Sequence, residues 1–175
     1  MGSAARTVVA VGHTFGMLDI ERQFFASHQV ELLDGNQIGA EDPIWASVDG
    51  VMLGTARKLD SEAIQSLRNC VAIVRYGMGY DNVDVAAAKA KGILVGVLRD
   101  YCVNEVAEHT IASALCLARA LPMWDRLTRS GKWRAGADIE SRRFSELTYG
   151  LIGFGQIGRR VAEMAHVIFG NVTVF

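Results

Sequence analysis

With 175 residues and a formal net charge of −1, the chain can bury a real core and carries no charge excess that would call for a nucleic acid or an anionic membrane as partner. Half its residues are hydrophobic and 21% are charged, which excludes a disordered chain, and no run approaches the roughly 18 apolar residues of a membrane span. Cys70, Cys102 and Cys116 are odd in number and lack metal-ligand spacing, so the expectation is no metal site and a reducing, cytoplasmic setting.

The first hundred residues alternate short β-branched runs with helical patterns. Strands are predicted at Thr7–Val11, Val30–Leu33, Gly50–Leu53, Val71–Val74 and Ile93–Val95, and helices at Ile20–Ser27, Ser61–Leu67 and Val85–Lys91. That rhythm predicts an α/β fold with a parallel sheet covered on both faces. Asp60 or Ser61 is placed to cap the second helix and Asp84 the third, and Gly92 to end the third.

From Asn104 to Leu121 the pattern becomes one long apolar helix, expected to be buried on several sides as a connector or subunit interface. Pro122 either ends it or begins a new turn. Residues 123–146, with Gly131 and Gly136, read as a short helix and then irregular chain. His109 lies inside the long helix and reads as a packed or hydrogen-bonded side chain rather than a catalytic one. His13, His28 and His166 have no partners at metal-ligand spacing.

Two motifs carry chemistry. Gly153-Phe154-Gly155-Gln156-Ile157-Gly158 follows a predicted strand, Tyr149–Ile152, and opens a helix, with a further strand at Val172–Phe175. In that context the glycines serve a tight turn, close approach of a pyrophosphate, and helix–strand packing. An acidic residue for the ribose is expected about 20 residues on, at the end of the strand that reaches Phe175, so NAD and NADP are not distinguished. The second motif, Arg75 to Asp84, follows the fourth strand directly. Gly77 and Gly79 expose backbone N–H groups there that could hold a small carboxylate or simply form a turn, while Asp81 and Asn82 read as structural.

Taken together, the loop 75–84, the stretch Tyr101 to Thr110, Gly131-Lys132-Trp133 and the fingerprint 150–158 resemble the D-isomer-specific 2-hydroxyacid dehydrogenases. The Asp-Tyr-Cys start and the Glu-Val-Ala-Glu-His helix look most like the branch containing the C-terminal-binding-protein-like dehydrogenases. The resemblance implies a flavodoxin-like substrate domain with a parallel sheet (1–100), a long interdomain and dimerisation helix with linker (101–146), and the first βαβ of a Rossmann NAD-binding domain (147–175). It implies hydride transfer between NAD(H), with NADP not excluded, and a small 2-oxo or 2-hydroxy acid. Backbone N–H groups of Met78, Gly79 and Tyr80 would hold the substrate carboxylate. Gly153, Gly155, Gln156, Ile157 and Gly158 would hold the cofactor, and the helix 104–121 would pair with a second copy. The family's catalytic Arg, Glu and His match no residue here, so the chain reads as a fragment, inactive alone. The competing role is an NAD(H)-sensing, protein-binding or corepressor-like module with little turnover.

Overall fold

The computed structural model describes residues 6–133 and 141–175, which leaves Arg134 and Gly136 outside the described residues. The chain divides into two compact units, Met1–Tyr101 and Cys102–Phe175.

In the first unit, β1 (Arg6–Val11), β2 (Val30–Asp34), β3 (Gly50–Leu53), β4 (Ala72–Arg75) and β5 (Leu94–Val97) form one sheet in the order β2-β1-β3-β4-β5, all parallel. Helices α1 (Asp19–Ser27), α2 (Ser61–Ser66) and α3 (Val85–Ala90) fall between the strands. Strand side chains alternate between faces, so the register decides what is buried where. Leu33, Val9, Val51, Ile73 and Val95 stand opposite one another across all five strands and belong to one core. Trp45, Val48, Ile64 and Leu67 pack on the same cluster. Ala10, Leu18 and Leu32 form a smaller core on which Phe25 and Met52 pack. Each fully buried Leu, Ile or Val of this kind stabilises the fold by roughly 1.5–3 kcal/mol.

The helix ends follow the local chemistry. Asp60 accepts the Ala63 N–H at 3.0 Å and Asp84 the Ala87 N–H at 2.9 Å, and Gly92 takes the left-handed conformation at φ +74°. Lys91 reaches from the end of α3 to the open end of α2, its ammonium donating to the carbonyls of Ile64, Gln65 and Leu67 at 2.9–3.0 Å. These are carbonyls that the end of a helix leaves without partners, and a cation suits their partial negative charge.

In the second unit, α4 (Val103–Ala118) is followed by α5 (Leu121–Arg129), β6 (Thr148–Leu151), α6 (Gln156–His166) and β7 (Asn171–Val174). Strands β6 and β7 pair in parallel from Thr148↔Asn171 to Leu151↔Val174. Ala107 and Ile111 of α4 share a core with Leu151, Val161, Ala165 and Phe169. The long helix is therefore shorter than its sequence pattern predicts. Pro122 has no N–H to offer the Ala118 carbonyl, and the chain breaks at Ala120, which sits at φ +49° before α5 begins. Within the chain α4 buries only Ala107 and Ile111, and Leu117 is 75% exposed. The expected burial on several sides is not met by this chain's own contacts.

Candidate functional site

Among the described residues two places have the geometry of binding sites, one in each unit. In the first unit, the strand order reverses direction between β1 and β3, and ligands of open α/β sheets bind beyond the carboxyl ends of strands at such a switch point. The backbones leaving these two strands touch: a Cβ on Gly54 would lie 2.0 Å from the Gly12 carbonyl oxygen. Above that floor is a cavity of about 360 Å³. Its walls are His13 and Phe15 after β1, Thr55 after β3, Arg75 and Tyr76 where β4 ends, and Tyr101.

Arg75 is the cavity's fixed cation. Its Nη1 donates to the Tyr76 carbonyl, while its buried Nε has no partner among the described residues. Tyr76 donates its hydroxyl to Glu21 Oε1 at 3.1 Å. Burial first, and then the Glu21 charge and hydrogen bond, push this phenol above the ordinary tyrosine value, so it remains a neutral donor. His13 is buried and bonded to the Phe15 carbonyl and to Asp34. Burial pushes the Asp34 carboxyl up, but the Asn36 N–H, His13 and the Arg22 charge outweigh it and hold the group below its ordinary value.

The loop beyond β4 continues from Arg75 through Gly77, which adopts φ +140°. No hydrogen bond among the described residues occupies the backbone N–H groups of Met78, Gly79 or Tyr80. Tyr80 is 55% exposed, and none of these three residues lines the 360 Å³ cavity. The loop is braced from behind by Asn82, whose amide donates to the carbonyls of Gly54 and Arg57 at 2.8 and 2.7 Å. Leu59 and Val83 add a backbone bridge. Asn82 is thus structural, as its sequence context indicates.

In the second unit the fingerprint forms a turn between β6 and α6. Gly153 takes φ +91° and donates its N–H to the Phe175 carbonyl at 2.9 Å. Gly158 is needed for packing, since a Cβ there would sit 2.4 Å from the Gly153 oxygen. Gly155 is the residue before the first helical turn, with nothing within 4 Å of where its Cβ would be. Gln156 and Ile157 open α6, whose N-terminus offers backbone N–H groups and partial positive charge. An anionic diphosphate fits this cradle: the missing Cβ at Gly155 leaves room for it at the positive end of the helix.

Elsewhere, His109 lies exposed on α4 beside Ala112, Ser113 and Cys116 and makes no packed core contact. Cys70 is buried and donates to the Ala72 carbonyl at 3.3 Å, and burial raises its thiol above the ordinary value. Cys116 is half-buried. The described residues include no cluster of three or more metal-ligating side chains. Among the described residues no helix is long and apolar enough to cross a membrane.

The residues that sequence reasoning missed are the walls contributed by β1 and β3: His13, Phe15 and Thr55. The available signal was their position just past two neighbouring strands.

A five-stranded parallel sheet with a cavity at its switch point, followed in the chain by a strand–glycine turn–helix step, defines an α/β protein of the doubly wound class. The family described as "D-isomer specific 2-hydroxyacid dehydrogenase, catalytic domain" matches residues 14–174, and the chain belongs to that family. It is 33% identical over 131 residues to a D-3-phosphoglycerate dehydrogenase of Archaeoglobus fulgidus, covering 73% of this chain and 24% of the relative. It is 34% identical over 124 residues to a glyoxylate reductase of Pyrococcus furiosus, covering 67% and 37% respectively. The match thus spans well under half the length of these relatives. The crystal structure of a D-lactate dehydrogenase from Aquifex aeolicus, complexed with NAD and lactic acid, superposes with a TM-score of 0.84 at 23% identity, covering 97% of this chain and 50% of that one. That likeness shows the α/β fold.

Proposed function

We propose that this chain supplies the substrate-binding side and the cofactor-phosphate cradle of an NAD(P)-dependent 2-hydroxyacid dehydrogenase acting on a small 2-oxo or 2-hydroxy acid. The observation that carries the reading is the fingerprint turn, with Gly153 left-handed, Gly155 open and Gly158 packed against the Gly153 carbonyl. In support, relatives carry the names glyoxylate reductase and D-3-phosphoglycerate dehydrogenase, and solved neighbours hold NAD in one case and NADPH in another.

In this reading, backbone N–H groups of Gly155, Gln156 and Ile157 hold the diphosphate, and the bound nicotinamide supplies the hydride. Met78, Gly79 and Tyr80 donate backbone N–H groups to the substrate carboxylate, fixing the acid so that its C2 is presented in one orientation. Arg75 adds positive charge, and Phe15 and Tyr76 keep water from the wall beside the reacting carbon. None of these is the acid–base group that carbonyl reduction needs, and its absence alone typically costs 10²–10⁴-fold. The 175-residue chain is therefore a binding scaffold that does not turn over by itself.

Titration calorimetry with NADH tests this. Gly155→Val should weaken binding at least tenfold with the fold intact, because the new side chain enters the cradle rather than the core. Equal affinity of variant and parent would sink the reading. Steady NADH oxidation by the pure chain with glyoxylate, pyruvate or hydroxypyruvate would refute the claim of inactivity.

The exposed apolar positions of α4 and α5 favour a homodimer in the same reading. Val106, Leu117, Leu121 and Trp124 are 39–75% exposed. Covering them with a second copy removes that surface from water. Leu117→Glu should shift the protein to monomer in sedimentation velocity, and a parent that is already monomeric would remove the proposal.

A further inference from the structure

We propose that His13 is a positioning residue, whose two ring hydrogens pin the segment after β1 as one wall of the strand-end cavity. Its Nδ1 lies 2.9 Å from the Phe15 carbonyl oxygen and its Nε2 lies 3.1 Å from Asp34 Oδ1. A backbone carbonyl and an ionised carboxylate can only accept, so both bonds exist together only when each ring nitrogen carries a hydrogen. The ring that satisfies this frame is the imidazolium. Loss of either hydrogen forfeits one bond and sets a bare nitrogen against an acceptor oxygen, which repels it.

The Asp34 side of the frame is held independently. Asp34 Oδ1 also accepts the Asn36 N–H at 3.0 Å. Asn36 then grips the segment itself, Nδ2 donating to the His13 carbonyl at 3.0 Å and Oδ1 accepting the Gly12 N–H at 2.7 Å. The less constrained end is Phe15, so that is where a lost bond should be felt. The Phe15 ring stacks on the imidazole at 4.8 Å and meets Tyr76 edge-on at 5.0 Å. A wall running His13–Phe15–Tyr76 thus lines the cavity.

The charged and titratable groups around it come from four directions. Asp34 ends β2, Glu21 and Arg22 sit on α1, Arg57 packs against Gly12 from the segment after β3, and Arg75 and Tyr76 end β4 on the same cavity. Of these, Asp34 is the carboxylate that touches the ring. Arg75 lines the same cavity, and among the described residues no acidic side chain does. The link to an anionic 2-oxo acid rests on the function proposed above, whereas the pinning of the wall does not.

The test is a pH titration of the whole 175-residue chain by nuclear magnetic resonance, following the His13 ring nitrogens with the Phe15 and Tyr76 ring signals. At the acid end both ring N–H groups should be present, with through-bond coupling to the Phe15 carbonyl carbon. As His13 loses one hydrogen, the Phe15 and Tyr76 signals should shift at the same midpoint. His13→Gln should abolish that step while the amide spectrum of the sheet is retained. Asp34→Asn, which removes the opposing charge with little change of shape, should keep the step and move it to lower pH. Phe15 signals that ignore the His13 titration, or persist unchanged in their step after His13→Gln, would overturn the proposal. No cofactor or substrate enters the measurement, so its outcome and that of the NADH titration can fail separately.

Discussion

The two units use the same βαβ step but stand on very different foundations. In the first, five parallel strands give the sheet an interior, and β1, β3 and β4 are paired on both sides. Val9, Val51 and Ile73 in these strands are at most 1% exposed. In the second, β6 and β7 form a sheet of two strands, and the buried cluster draws on α4 as well as α6. A two-stranded sheet is at best marginal alone. The second unit therefore depends on helix packing for what the first obtains from its strands, and its binding turn sits on the weaker foundation.

Substitutions in both units put that contrast to the test. The largest effect is expected from Ile73→Ala, at the centre of the first core. It should cost about 2–5 kcal/mol in urea unfolding, and retention of parental stability would contradict the assigned register. Next, Gly158→Ala forces a methyl group onto the Gly153 carbonyl and should cost about 1–3 kcal/mol, with faster hydrogen exchange confined to 102–175. Gly155→Ala, three residues earlier in the same motif, meets nothing and should leave stability within about 0.5 kcal/mol.

A smaller effect follows from Asp34. Its folded pKa lies below the ordinary 3.8, so its stabilisation is complete above that value and drains away as pH falls through the lower, folded one. Thermal melts between pH 5 and about 2 should show a loss in the parent that Asp34→Asn lacks. The least is expected from Asp125→Asn. The Asp125–Arg129 pair on α5 is bonded at 2.9 Å, but both side chains are more than half exposed, so melting should not change measurably.

Much of this architecture is legible in the residues because local and long-range preferences agree. β-branched runs bounded by turn residues became the five strands, and Asp60 and Asp84 cap the helices that they precede. Disagreement appears where a signal is shared. From Asn104 to Leu121 the composition is helical throughout, but Pro122 acts backward on the carbonyl one turn earlier and Ala120 absorbs the break at a positive φ. No residue at 119–120 announces it, because alanine is ordinarily a helix former. The Lys91 bridge to the end of α2 was likewise hidden, since it joins residues 24 to 27 positions apart.

The site divides in the same way. The glycine turn was readable because its chemistry is written in consecutive residues, each with a local backbone task. The cavity walls were not, because His13, Thr55 and Tyr76 meet only once β1, β3 and β4 lie side by side. His13 in particular looks like an isolated histidine until Asp34, 21 positions on, is brought beside it by the β1–β2 pairing.

The contact between Gly12 and Gly54 has a consequence for how this protein can vary. Gly12 is left-handed, and a Cβ there would fall 2.6 Å from Arg57, while one at Gly54 would strike the Gly12 backbone. Neither obstacle is a flexible side-chain tip that could swing aside. In a saturation-mutagenesis survey these two positions should tolerate nothing else, singly or exchanged together. The cavity above them can then diversify through its walls while its floor stays the same.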